Sequence, residues 1–177
     1  MNRRQWLGGG IVALAAGAIG AWVARKHYSL AQVDQAATDL LLGLELPTAD
    51  GAMQPLREWR GRPLLVNFWA TWCAPCVEEM PELSGLQREF SATPLQIVGI
   101  GIDSAANIQR FSQKSPMSYP LLVAGASGTE LARQFGNPSG ALPFTVVIDK
   151  EGRVRRRFLG RFQLSNLRAS VNDVLRV

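Results

Sequence analysis

The stretch NFWATWCAPCVEEMPEL, residues 67–83, holds both cysteines of a 177-residue chain, separated by two residues. A close pair of this kind has three uses: a structural staple, half of a metal site, or a redox couple. A staple across so short a gap removes little unfolded-state entropy, because that gain grows with loop length. A structural zinc site needs four ligands. The chain offers two cysteines and one histidine, His27, which lies beside an apolar N-terminal run. The residues therefore favour a redox pair, and no metal site is expected.

The flanking sequence supports that reading. PLLVNFWA (63–70) is a continuous apolar run with β-branched and aromatic content, which reads as a strand buried on both faces. CVEEMPELSGLQREF (76–90) has helical periodicity. Cys73-Ala74-Pro75-Cys76 would then sit at the mouth of a helix, where unpaired backbone N–H groups carry partial positive charge. A thiolate at Cys73 is stabilised there, so its pKa is expected below the free value of about 8.5. Pro75 suits the first turn because that turn has no use for its missing N–H. Cys73 is read as the nucleophile and Cys76 as the resolving thiol one turn in.

On the same helix Cys76, Met80, Leu83, Leu86 and Phe90 define an inward arc. Glu79 falls inside that arc; Glu78, Glu82 and Glu89 fall outside it. A carboxylate on a core face is costly unless protonated or paired, so its pKa is expected to rise. Glu79 is read as the group that handles the Cys76 proton, against the plainer reading of a rim residue reaching water. Pro81 lies mid-helix, where it removes a hydrogen bond to the Val77 carbonyl and favours a kink.

Outward from this stretch, strands and helices alternate. LPTADGAMQPLREW carries Asp50-Gly51 between two extended runs, a hairpin signal. LQIVGIGID (95–103) reads as a buried strand and 104–115 as a helix capped by Ser104. YPLLVA (119–124) is a short strand, and 127–136 a helix ended by Gly136. PFTVVIDKEGRVRRRFLG (143–160) is a strand, a turn and a strand, and 163–177 is an amphipathic helix. This order calls for an α/β fold with a central mixed sheet flanked by helices. Proline at a strand start, as at Leu142-Pro143, is allowed.

Composition agrees with a globular domain plus an extension: 47% hydrophobic and 19% charged residues. Net charge is +5, most of it in the run Arg153, Arg155, Arg156, Arg157 and Arg161. That run follows a turn and is read as a solvated strand edge that blocks unwanted pairing, not as a nucleic-acid site.

MNRRQWLGGGIVALAAGAIGAWVARKH (1–27) has a basic start and an uncharged run from Gln5 to Ala24. Such a run is long enough to span a bilayer. It is read as an uncleaved membrane anchor or as a cleaved export signal resembling the twin-arginine type, with a buried core helix as the third reading. Either main reading places the body outside the cytoplasm. Residues 28–45, with Leu30, Val33, Ala37, Leu40 and Leu41 at helical spacing, are read as a connecting helix or spacer. The domain is taken as 46–177.

With these residues in view, LVNFWATWCAPCVEEMPEL (65–83), the preceding Asp-Gly hairpin, the helix–strand insert (104–124) and LPFTVVIDKEGRV (142–154) resemble a known family. It is that of the thioredoxin-like thiol:disulfide oxidoreductases of the bacterial cell envelope, the TlpA/ResA type. The resemblance covers residues 44–177. It implies a thioredoxin-like fold with an N-terminal hairpin and a central helix–strand insert. It implies that Cys73 is the exposed attacking thiol and Cys76 the buried one. Pro143 would be a cis-proline that, with Leu142, Trp72 and Pro75, meets the substrate, and Ser139-Gly140-Ala141 would line the same groove. Glu79 matches the family's buried glutamate, while Asn67 stands where cytoplasmic thioredoxins carry a buried aspartate.

The function so implied is reduction of disulfides in envelope proteins on the periplasmic side, with no cofactor. Electrons would come from an upstream membrane thiol donor, and the N-terminal segment would hold the protein to the membrane. Apocytochrome c, copper-centre assembly proteins and general envelope disulfides are the substrate classes the analogy suggests. Two alternatives remain open. One is an oxidase or isomerase working in the other direction, because Ala74-Pro75 does not set a potential. The other is a non-catalytic metal- or haem-assembly module, whose wider cysteine spacing and distant histidine are absent here.

Overall fold

Nothing polar except Asn67 interrupts the apolar run Leu64–Trp69, and all six residues are buried. Such a strand must be covered on both faces, and the computed structural model, which describes residues 32–176, shows how. The leader expected over 1–27 lies outside the described residues. Among those residues, no helix is long and apolar enough to cross a membrane.

The elements in order are α1 (32–43), β1 (Glu45–Pro47), β2 (Met53–Pro55), a 3₁₀ turn (Leu56–Trp59), β3 (Leu64–Trp69), α2 (Ala74–Glu89), β4 (Gln96–Gly101), α3 (Ala105–Lys114), β5 (Leu121–Val123), α4 (Ser127–Gln134), β6 (Phe144–Ile148), β7 (Val154–Leu159) and α5 (Leu164–Leu175). Five strands form one sheet in the order β5-β4-β3-β6-β7. β3 pairs in parallel with β4, and β4 with β5; β6 runs antiparallel to both β3 and β7. The expected mixed sheet is present, with β3 at its centre.

The period-2 alternation of side chains divides the core. Leu65, Trp69, Ile97, Leu121 and Val147 face one side, against Cys76, Met80, Leu83 and Leu86 of α2, Ile108 of α3, and Leu167, Val171 and Val174 of α5. Leu64, Val66, Phe68, Val98, Ile100, Val146 and Ile148 face the other, against Ala37, Leu41 and Leu42 of α1 and Leu131 and Ala132 of α4.

That second layer moves the domain boundary. The described part of the segment read as a spacer forms a helix over 32–43, and from Asp34 on it belongs to the compact unit Asp34–Val177. Ala37 and Leu41 are buried while Val33 and Leu40 are exposed, so only part of the apolar spacing faces the core.

The hairpin β1–β2 pairs Glu45 with Pro55 and Pro47 with Met53 around Gly51, whose φ of +92° explains the glycine. Thr48 bridges Leu122, and Ala49 N–H donates to Leu121 O at 2.9 Å, so the hairpin's turn covers the β5 edge. The opposite edge is β7. There the basic run is tied to carboxylates: Arg153 and Arg155 to buried Asp149, and Arg157 to Asp34. Arg157 Nε also donates to Phe135 O at 2.6 Å. α3 starts where Ser104 accepts a capping bond from Asn107 N–H at 3.2 Å.

Candidate active site

β3 ends at Trp69, and the loop 70–73 carries the chain into α2. Cys73 is the N-cap residue of that helix, with φ −91° and ψ 93°, and its side chain makes no capping bond. Its carbonyl accepts from Cys76 N–H at 3.0 Å and Val77 N–H at 3.1 Å. Pro75 falls in the first turn, as its missing N–H allows. The two cysteines are joined as a disulfide with Cα atoms 5.3 Å apart. The helix mouth thus places one sulfur at the N-cap and the other one turn in. Cys73 keeps 6% of its surface open and Cys76 none. The exposure expected of Cys73 is not seen in this disulfide form: both cysteines are buried, and Cys73 differs from Cys76 only by that small remainder. Trp72 beside it is 68% exposed, the most open large apolar side chain of the described residues.

The loop is anchored from outside. Thr71 Oγ1 donates to Asp103 Oδ2, and Asp103 Oδ1 accepts from Ser104 N–H at 2.6 Å and Asn107 Nδ2 at 2.7 Å. Ile102 N–H donates to Trp69 O at 2.8 Å. The start of α3 thereby holds the turn that presents Cys73.

The Leu142-Pro143 bond is cis. Phe144 pairs with Phe68 across β6 and β3, which puts Pro143 level with Trp69, at the same end of the sheet as the cysteine loop. Pro143 O accepts from Gly160 N–H at 2.8 Å, and half-buried Leu142 packs against both core layers. Upstream, Ser139 and Ala141 are exposed, and buried Asn137 holds their loop by donating from Nδ2 to Ala141 O at 2.9 Å.

Glu79 is fully buried, on the inward arc with Cys76, so the rim alternative does not apply. α2 continues through Pro81. Glu79 Oε1 accepts from Asn67 Nδ2 at 2.8 Å; Oε2 has no hydrogen-bond partner among the described residues. Burial pushes its pKa up to about 7. The Asn67 bond and the Arg161 guanidinium oppose that rise, and the Glu82 charge adds to it. Arg161 reaches Glu78 at 3.0 Å and Glu82 at 3.2 Å, strapping the β7–α5 loop across α2 beside Glu79.

Sequence reasoning missed Thr145, whose Oγ1 accepts from the same Asn67 nitrogen at 3.0 Å. It also missed Asp103 and Asn137. The available signal for Thr145 was a lone hydroxyl in an apolar strand, and only sheet register shows what it faces. The described residues contain no cluster of three His, Cys, Asp or Glu arranged to hold a metal.

Residues 33–157 match the AhpC/TSA family. The thioredoxin-like protein YneN of Bacillus subtilis is 31% identical over 163 residues, covering 89% of this chain and 91% of that one. The thiol-disulfide oxidoreductase ResA of Geobacillus thermodenitrificans is 25% identical over 130 residues, covering 73% and 72%. Among solved structures, a thiol:disulfide interchange protein of the thioredoxin family from Chlorobium tepidum aligns with a TM-score of 0.64 at 27% identity, over 75% of this chain and 92% of that one. A disulfide at the mouth of α2, a cis-proline at the same sheet end and these relatives agree: the chain belongs to the AhpC/TSA family, as a thioredoxin-fold thiol-disulfide oxidoreductase of the TlpA/ResA type.

Proposed function

We propose that this oxidoreductase works as a reductase of protein disulfides in the cell envelope. Residues 1–27 would serve as anchor or export signal, and a membrane thiol donor would supply the electrons. The observation that carries the reading is the pairing, on one helix face, of a nearly closed Cys73–Cys76 disulfide with a buried Glu79 whose pKa lies about 7.

In the forward cycle the reduced Cys73 thiolate attacks one sulfur of a substrate disulfide. The substrate S–S bond breaks, a mixed disulfide forms, and the departing substrate thiolate takes up a proton. Glu79 removes the Cys76 proton. The Cys76 thiolate attacks Cys73 Sγ, the mixed disulfide breaks, and the second substrate thiolate leaves and is protonated. Two electrons have passed to the substrate, and Cys73–Cys76 is oxidised. A dithiol donor then reduces the pair and is itself oxidised. Glu79 suits the proton step because a group titrating near neutral pH can accept and return a proton at working pH. Cys73 acts as attacker because its sulfur sits at the N-cap and retains an open edge. Exposed Trp72 and Pro75, half-buried Leu142 and the 139–141 loop form the surface a substrate segment meets, with Pro143, itself buried, at the same sheet end.

A redox titration of the purified protein tests the direction. A reduction potential well below about −200 mV supports reductase work; a value near about −120 mV, in the range of strong oxidants, overturns it.

A further inference from the structure

One row of positions crosses the sheet beneath Glu79. Asn67 of β3 is in register with Gly99 of β4 on one side and Thr145 of β6 on the other. Asn67 and Thr145 are the polar side chains of that row, buried in an otherwise apolar face. Both hydrogens of Asn67 Nδ2 are engaged, one on Glu79 Oε1 and one on Thr145 Oγ1, while Oδ1 has no hydrogen-bond partner among the described residues. An amide can present either its nitrogen or its oxygen to a carboxyl group. The nitrogen suits a carboxylate; the oxygen suits a protonated acid. Thr145 Oγ1 takes the other hydrogen of the same NH₂ group, so the present orientation satisfies both N–H groups, whereas a turned amide would place them where Oδ1 now finds no partner.

We propose that Asn67 and Thr145 are positioning residues for the proton step: the Thr145 hydroxyl holds the Asn67 amide with its nitrogen toward Glu79, and that orientation keeps Glu79 available as a base. The inference rests on the Glu79 role given above. It ties the proton acceptor to β6, the strand that directly follows the cis-proline, since Thr145 is two residues after Pro143. Without the hydroxyl, the second amide hydrogen loses its acceptor in a buried site, which is costly. The nitrogen-in orientation then loses one of its two bonds, which narrows its advantage over the turned amide, whose oxygen would give the protonated acid a partner. The charged groups facing Glu79 from other elements are Arg161, with the Phe162 amide, on the β7–α5 loop and Glu82 on its own helix. Tyr119, ahead of β5, feels the Glu79 charge. None of these contacts Thr145 through a hydrogen bond, so a change at Thr145 reports on the Asn67 link.

The test is to titrate the Glu79 carboxyl by carbon-13 NMR in full-length protein with labelled glutamate, and to record the pH profile of disulfide exchange. In Thr145→Val the Glu79 midpoint should rise by about one pH unit, the size of one lost hydrogen bond to a charged group. The acid-side limb of the rate profile, which the ionisation of a base sets, should move with it, while Thr145→Ser keeps the wild-type midpoint. Should the valine variant fail to fold, Thr145→Ala carries the same expectation without its extra methyl group. An unmoved midpoint in the folded Val or Ala variant, or a midpoint displaced equally in Thr145→Ser, overturns the proposal. If Glu79→Gln leaves the rate profile unchanged, the Glu79 role fails and the inference falls with it. If Glu79→Gln removes that limb and Thr145→Val does not move it, only the inference falls.

Discussion

Glu79 accepts a 2.8 Å hydrogen bond from Asn67, a side chain on the central strand, rather than from any residue of its own helix. The carboxyl is thus held by the sheet while its helix carries the cysteines. A group buried in this way has a measurable effect on stability as well as on rate.

For Glu79 the folded pKa is raised, from 4.5 to about 7. Between those values the native state holds a proton that the unfolded chain has released, so stability falls as pH rises through this window. Glu79→Gln removes the titration. In the disulfide form, the variant should gain on the wild type as pH rises from about 4.5 to 8, by roughly 3 kcal/mol in all. Urea unfolding of both proteins across that range checks it; a constant difference would show that Glu79 does not titrate there.

Arg161 spans Glu78 and Glu82 on the surface, with about half of its side chain exposed. Exposed pairs of this type contribute about 0–1 kcal/mol each. Arg161→Ala should therefore change unfolding free energy little, yet raise the Glu79 midpoint, because a cation that favours the carboxylate is lost. Added salt should shrink the difference between variant and wild type. Carbon-13 titration at low and high ionic strength reads both effects.

Much of this site was legible in the sequence, and the reasons differ by residue. The cysteine spacing and the α2 arc depend on local geometry alone, so Cys73, Cys76 and Glu79 could be placed without a fold. Asn67 entered only through the family resemblance, as the residue standing where cytoplasmic thioredoxins carry a buried aspartate, and what it touches depends on strand pairing across 78 residues to Thr145. Sequence periodicity carries no information about register between distant strands. The packing of α1 was hidden for a related reason. Its apolar residues split between core and solvent, so the pattern did not mark one buried face. Most partners of the arginine run were likewise invisible, because Asp34, Glu78 and Glu82 lie on other elements; only Asp149, four residues before Arg153, is local.

Gly99 sits in the same row as Asn67, and a Cβ there would lie 2.8 Å from Leu121 Cδ2, 3.1 Å from Trp69 Nε1 and 3.3 Å from Tyr119 Cε2. Three side chains must give way for one methyl group. Gly99→Ala should destabilise the protein by about 1–3 kcal/mol through overpacking. Gly85, inside α2 with nothing within 4 Å of such a Cβ, provides the contrast. Gly85→Ala should stabilise by roughly 0.5–1 kcal/mol, since glycine is a poor helix former. Denaturant midpoints of the two variants should fall on opposite sides of the wild type.

Leu40 and Leu41 are neighbours on α1, yet Leu41 is 1% exposed and Leu40 49%. Leu41 packs into the layer that includes Val66, Phe68 and Phe144, behind the sheet face that carries Asn67 and Thr145. If α1 is part of the domain, Leu41→Ala should cost about 2–5 kcal/mol, the range for emptying a buried leucine site. Leu40→Ala should change stability by less than about 0.5 kcal/mol, as exposed substitutions do. The same reasoning predicts that a chain beginning at residue 46 unfolds at lower denaturant than one beginning at residue 32. Equal midpoints for those two proteins, or a Leu41→Ala cost no larger than that of Leu40→Ala, would return α1 to the role of a mere connector.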